Sequence, residues 1–355
     1  MKPVNLDKLA SQPCYWLRDG ARDSDVVVSS TIRLSRNLDG FSFVGHATTS
    51  DLSSVVQRVV AAVPVAFPGN DVAIVDPDEL LPEEASLFVE RKHASREFMA
   101  ENRPRALLVR QNEEFSVMVN DEDHVRLVST SGGFALRETW SRLNDVDDAL
   151  EKNLEYSFDE TFGYLTACPS NVGTGLRASV TVHIPGLIET NHARKVMRSL
   201  EKLNLMARGC FGDGVDNLGD LFQISNQATL GTSEDEIIEM LRGVVASVIG
   251  YERKAREEIL AKDRVGLDDR CSRSLGALSL AREMSLAEAM THLSNLRFGA
   301  RVGLILDVPL RLIDELMVAV QPSHLNKLME AEKLDSPMME EDELRALYLR
   351  RKLAA

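Results

Sequence analysis

An α+β fold is predicted for this chain of 355 residues by three observations. Apolar residues alternate at Phe115, Val117 and Val119 and again at Val180, Val182 and Ile184, the period-two pattern of half-buried strands with one face toward helices. Segments of helical period lie before, between and after these runs. Beyond Lys262 only helical patterns remain, and no strand pattern returns. Neighbouring strands with helices gathered on their faces define the class.

Taken in order, the N-terminus carries Asp7, Arg18 and Asp19 where a signal peptide would be apolar. The apolar run 55–67 is interrupted by Gln57 and Arg58, so no membrane span is expected and the chain is placed in the cytoplasm. Helices are expected over 82–101, 135–151, 188–203 and Glu234–Lys262. The acidic block between Val119 and Val125 is expected to be a tight turn joining two strands and holding its carboxylates at a sheet edge. The polar stretch 263–273 is expected to be a linker. After it, Leu286, Ala289, Met290, Leu293 and Leu296 form one helical stripe, and Leu312, Ile313, Leu316, Met317 and Val320 another, with Pro309 placed to begin its helix.

The length suits one large or two ordinary domains. A formal charge of -14 argues against a nucleic-acid surface, which wants clustered Lys and Arg; it suits a cationic substrate weakly, and a protein that simply stays dispersed better. Cys14, Cys168, Cys210 and Cys271 are scattered without a Cys-x-x-Cys pair, so neither a zinc site nor a disulfide framework is indicated. No metal-ligand set is assigned.

One run concentrates chemistry: Cys168-Pro169-Ser170-Asn171-Val172-Gly173-Thr174-Gly175-Leu176-Arg177. It places a thiol, a glycine loop and a cation close together. Gly173 and Gly175 are expected to let backbone N–H groups approach an anion, while Arg177 offers a planar fork for phosphate oxygens. Neither Gly-x-x-x-x-Gly-Lys nor Gly-x-Gly-x-x-Gly occurs here, so this is not a P-loop or a dinucleotide fingerprint.

The run resembles the cysteine signature of the phosphagen (guanidino) kinases. Three further blocks agree in chain order: Ser29-Ser30-Thr31-Ile32-Arg33, then Asn120-Asp121-Glu122-Asp123-His124-Val125-Arg126, and then 208–231, which opens Arg208-Gly209-Cys210-Phe211-Gly212-Asp213. Within that family the wording is similar to the bacterial protein-arginine kinases of the McsB type. The first block begins at Ser29, leaving no room for the N-terminal helical domain of creatine and arginine kinases.

The resemblance implies a guanidino-kinase catalytic domain over 1–262, a mostly antiparallel sheet flanked by helices. A small all-helical domain follows over 263–355, with a role in phosphoarginine binding or dimerisation. It implies Glu122 as catalytic base, because an arginine guanidinium stays protonated until a base removes a proton from the attacking nitrogen. Asp121 precedes it in the substrate site. Asp213 stands where the family has a clamping glutamate; its shorter side chain leaves a direct, water-mediated or altered clamp open. Cys168 is read as a thiolate that holds the guanidinium, with Ser170 beside it.

For ATP with Mg²⁺, the resemblance implies a binding set made of Ser29, Ser30, Thr31, Ile32, Arg33, His93, Arg126, Arg177, Ala178, Ser179, Val180, Thr181, Arg208, Gly209, Cys210, Phe211, Gly212 and Asp213. Thr31 replaces an arginine usual in the family, and lower ATP affinity is expected from that. At the C-terminus Asp342 and Arg345 match part of an allosteric phosphoarginine motif in which Glu341 replaces the first cation; an ordinary charged helix fits the same residues.

The activity implied is phosphorylation of protein arginines, with clients passed to a ClpC-type unfoldase and a zinc-finger activator of the McsA type. A kinase of a free small guanidine and a non-catalytic phosphoarginine-binding adaptor are the alternatives.

Overall fold

The structure is a computed structural model describing residues 4–17, 21–66, 71–210, 218–332 and 339–354. Its strands are β1 (Val27–Arg36), β2 (Val72–Val75), β3 (Ala106–Arg110), β4 (Phe115–Val119), β5 (Val125–Gly132), β6 (Phe158–Asp159), β7 (Gly163–Tyr164), β8 (Leu176–His183), β9 (Leu205–Gly209) and β10 (Leu221–Asn226). Eight form one sheet in the order β2-β3-β4-β5-β1-β8-β10-β9, and β6 and β7 form a small ribbon. The pairs from β2 across to β1 are antiparallel.

The helices are α1 (Leu6–Ser11), α2 (Thr49–Ala66), α3 (Pro82–Glu90), α4 (Arg96–Ala100), α5 (Leu136–Glu151), α6 (Pro185–Glu189), α7 (Ala193–Glu201), α8 (Glu234–Lys262), α9 (Arg264–Leu280), α10 (Leu286–Arg301), α11 (Leu310–Ala319), α12 (Pro322–Ala331) and α13 (Glu341–Ala354). Among the described residues no helix is long and apolar enough to cross a membrane.

The chain falls into two compact units. The first comprises Met1–Asn5, Ser29–Val180 and Ser225–Gly243. Its core joins Val55 and Val59 of α2, Phe88 of α3 and the strand residues Leu107, Val117 and Leu127. The second comprises Leu6–Val28, Thr181–Ile224 and Val244–Ala355. There Ala289, Met290, Leu293 and Leu296 of the expected α10 stripe are buried, with Leu286 only partly so, and Ile313, Leu316 and Met317 of α11 are buried as well. The carboxylate of Glu252 accepts hydrogen bonds from the first-turn amides of Gly186 and Leu187 at 3.0 and 2.9 Å, and Arg256 holds it in place at 2.6 Å. Three donors satisfy a buried charge that would otherwise be costly.

Several expectations change. The strand at 115–119 is buried on both faces, not half-buried; its polar member Ser116 is accommodated by donating to the carbonyl of His93 at 2.8 Å. The helix expected over 82–101 breaks into α3 and α4, because Lys92 takes the left-handed φ of 68° and Ser95 starts a new helix by capping the amide of Phe98. Asn191, at φ 58°, likewise divides α6 from α7. The expected linker at 263–273 is helical: Asp263 caps Gly266, and Leu267, Cys271, Ser274 and Leu278 form a narrow buried stripe. The acidic turn lies at the end of two interior strands, not at a sheet edge.

Candidate active site

The β4–β5 hairpin turns through 120–124, with Val119 opposite Val125. Asn120 closes it in the left-handed region, φ 59°, with its amide on the carbonyl of His124 at 2.9 Å. Asn tolerates that conformation better than most residues. Its side-chain amide anchors the turn to the carbonyls of Leu52 and Pro104.

Inside this loop burial alternates: Asp121 and Asp123 are buried, while the Glu122 carboxylate is half-exposed. Arg126, four residues on, forks across both acids. Its Nη1 pairs with Asp121 and its Nη2 donates to Glu122 Oε2 at 2.8 Å. Asn171 adds a bond to the same Oε2 at 3.3 Å. Oε1 of Glu122 has no partner among the described residues, so one oxygen orients the carboxylate and the other is open.

Asp123 was named in the motif without a role, and its position supplies one. A single oxygen, Oδ1, accepts from Asn37 Nδ2 and from the amide of Ala167, both at 2.7 Å. Asn37 follows β1 and in turn accepts from the amide of His124. His124 accepts from the amide of Leu38 through Nδ1 and donates from Nε2 to Ser42, and burial lowers its pKa. This network ties the Glu122 hairpin to the segment entering Cys168. Nothing in the spacing of residues 37, 123 and 167 announces it.

Cys168 is partly exposed and its Sγ lies 3.0 Å from the Ser170 hydroxyl. The short helix 169–171 that follows points Asn171 back to Glu122. The glycines serve differently from expectation. The Gly173 amide is already bonded to the carbonyl of Tyr164, and a Cβ there would meet the Thr229 carbonyl at 2.6 Å. At Gly175, φ 63°, a Cβ would lie 2.5 Å from the carbonyl of Ser35. Both positions let backbone pack on backbone. Buried Arg36 locks the loop, donating to the carbonyls of Ser35 and Thr174 and to Asp147.

Along β1 the predicted block alternates. Ser29, Thr31 and Arg33 share a face with Thr130, Val128 and Arg126 of β5. Ser30 and Ile32 face the other way, and the Ser30 hydroxyl accepts from the Ala135 amide and donates to Gly133. Thr31 pairs with Thr130 at 3.0 Å.

Burial, reinforced by Arg126 and Arg177, lowers the pKa of Arg33 to about 10, against the opposing pull of Asp121 and Glu97. The guanidinium groups of Arg126 and Arg177 thus lie close enough to oppose the charge of Arg33. Such a cluster favours an anion. Lys92, outside the expected set, reaches this face with its ammonium 2.8 Å from the Ser29 hydroxyl. His93 is buried and engages Glu113 at 3.1 Å, beside the bidentate pair of Arg91 with Glu113 at 2.5 Å.

Along β8, Arg177, Ser179 and Thr181 alternate with the fully buried Ala178 and Val180. The model of the ATP:guanido phosphotransferase C-terminal catalytic domain matches residues 54–255. The chain belongs to the ATP:guanido phosphotransferase family. It is therefore an enzyme of phosphoryl transfer, and the family's substrate is ATP. The model of the protein-arginine kinase McsB C-terminal domain matches residues 264–355.

Among its relatives, a protein-arginine kinase of Brevibacillus brevis is 39% identical over 95% of this chain and 94% of that one. The protein-arginine kinase of Moorella thermoacetica is 40% identical over 96% and 97%. Among solved structures, lombricine kinase superposes with a TM-score of 0.58 at 25% identity, covering 71% of each chain. The duplicated taurocyamine kinase from Schistosoma mansoni shares the fold, with a TM-score of 0.60 at 21% identity over 79% of this chain and 42% of that one.

Of the remaining site residues expected for a family member, Arg208, Gly209 and Cys210 lie in the second unit at the end of β9, with the Cys210 amide on the Leu221 carbonyl. Phe211, Gly212 and Asp213 lie outside the described residues. Arg345 of α13 is fully buried, donating to the carbonyls of Val320 and Met284 and paired with both Asp342 and Glu341. An incoming phosphoryl group there would first have to displace Glu341.

Proposed function

We propose that this enzyme transfers the γ-phosphoryl group of ATP to arginine side chains of proteins. The observation that carries the reading is Glu122, clamped through Oε2 and open at Oε1, next to an arginine cluster suited to phosphates. A guanidinium meeting Oε1 is oriented by the carboxylate and gives up a proton to it as its nitrogen attacks phosphorus. Arg33, Arg126 and Arg177 hold the phosphate oxygens and offset charge in the transition state. We assign Cys168, set by Ser170, to the guanidinium side. Asp121 and Glu122 are each engaged by Arg126, and Mg²⁺ would be carried on the phosphates, where it would spread their charge.

Protein arginine is favoured as the acceptor by relatives of that name matching nearly end to end. The changeover between the two family matches, from 255 to 264, supports a catalytic part over 1–262 and a helical part over 263–355. We assign to the latter the binding of phosphoarginine or a second copy, and to the product the marking of clients for a ClpC-type unfoldase with a McsA-type activator.

Incubation with ATP, Mg²⁺ and an arginine-rich protein, followed by mass spectrometry under non-acidic conditions, tests the activity. Phosphoarginine on the protein is the expected result. Phosphorylation of free arginine with none on protein would shift the assignment to a small-guanidine kinase. No transfer to either, with phosphoarginine still bound, would leave an adaptor.

A further inference from the structure

Helix α7 is out of keeping with a chain of net charge -14. It and the turn that follows carry Arg194, Lys195, Arg198 and Lys202 against one acid, Glu201. All four cations are exposed, and none has a side-chain partner among the described residues. Arg194, Arg198 and Lys202 recur every four residues and so form one stripe, with Lys195 beside it. That is a concentrated positive edge which the protein does not neutralise itself.

Lys195, at the edge of the stripe, lines a groove of about 560 Å³ within the second unit, between α7 and the part of α8 beyond Val244; Arg194, Arg198 and Lys202 lie outside its lining on the adjoining helix face. Its floor is apolar, with Leu200 and Val248 buried. Its mouth exposes two large apolar side chains, Leu203 at 49% and Tyr251 at 58%. The α8 wall is electrically balanced, since Lys254 is 4.0 Å from Glu258. The α7 wall, which includes Lys195, is not. An apolar slot with a positive charge along only one lip specifies its occupant: apolar anchors for the slot and carboxylates along one flank.

We propose that the α7–α8 groove docks an acidic amphipathic polypeptide segment of a partner protein. An anionic lipid surface fits less well, because the apolar groups line a concavity, Glu258 stands on its far wall, and the chain's overall charge opposes approach to a negative bilayer.

The test uses the full chain and three probes. The first is a fluorescent helix-forming peptide with leucine and phenylalanine on one face and glutamates along one flank. The second replaces the glutamates by lysines, and the third is vesicles of phosphatidylglycerol and phosphatidylcholine. Saturable binding of the acidic peptide and not the basic one is expected in anisotropy titrations. The double variant Lys195→Glu/Arg198→Glu should weaken that binding by roughly tenfold or more, and Tyr251→Ala should weaken it through the apolar contact alone. These positions are solvent-facing, and unchanged thermal unfolding verifies that the fold is retained. Absence of saturable binding of the acidic peptide, binding that charge reversal leaves intact, or binding of vesicles alone would each overturn the proposal.

Discussion

Glu113 offers a stability test of how the site is held. Its carboxylate accepts from Arg91 and His93 in the turn between α3 and α4. Burial by itself raises its pKa, but hydrogen bonds from His93 and Arg91 and their charges outweigh that and lower it from 4.5 to about 2. A folded-state pKa below the unfolded value means stability that is present above pH 4.5 and lost as pH falls toward 2. That lowering corresponds to ~3 kcal/mol at pH 7, falling to ~1 kcal/mol at pH 3. Glu113→Gln keeps the shape, removes the charge and deprives buried Arg91 of its bidentate carboxylate partner, a change that costs about 3–5 kcal/mol in comparable pairs. Urea unfolding of wild type and variant, followed by circular dichroism across this pH range, measures both quantities. The gap should be ~3 kcal/mol near neutrality and narrow with acid. A gap below about 1 kcal/mol at pH 7, or one that ignores pH, would refute this account of the turn.

Glu122→Gln should lower transfer by a factor on the order of 10² or more while ATP binding, followed by calorimetry, survives; an active Gln variant removes Glu122 as base. Cys168→Ser should reduce turnover mainly through the guanidine site, and ATP with substrate should protect Cys168 from alkylation; full activity after alkylation contradicts the role given to the thiol. Lys92→Met should raise KM for ATP by about tenfold or more with little change in KM for the protein acceptor, and Lys92→Arg should recover most of it; equal changes in both constants would point to general damage. Gly175→Ala should cost ~2–5 kcal/mol, combining left-handed strain with overlap on Ser35 and Arg36, and an unchanged urea midpoint would argue that the loop relaxes freely.

The long amphipathic helices α5, α8 and α10 were legible because a single apolar face decided each of them. The site blocks were legible as motifs, but β1 was not legible as a strand. Its two faces are both buried, so Ser29, Thr31 and Arg33 hide the alternation that a half-solvated strand displays. The breaks at Lys92 and Asn191 depend on left-handed backbone conformations, uncommon for lysine though tolerated by asparagine, and apolar periodicity carries no trace of that. Asp263 as a cap and the narrow stripe through α9 were concealed by neighbouring charges. Positioning groups such as Asn37, Asp123 and Glu113 act across separations of 20 to 86 residues, which no local pattern records.

The shared oxygen of Asp123 sets a limit on how this catalyst can be remodelled. Because Asn37 and Ala167 meet at one atom, the base-bearing turn and the thiol-bearing segment have a common origin and cannot be re-spaced independently. Lengthening either loop moves both. Libraries aimed at a longer or bulkier guanidine should therefore leave residues 37, 123 and 167 fixed and vary exposed neighbours such as Ser170. Insertions near the anchor are predicted to yield inactive folded protein far more often than altered selectivity.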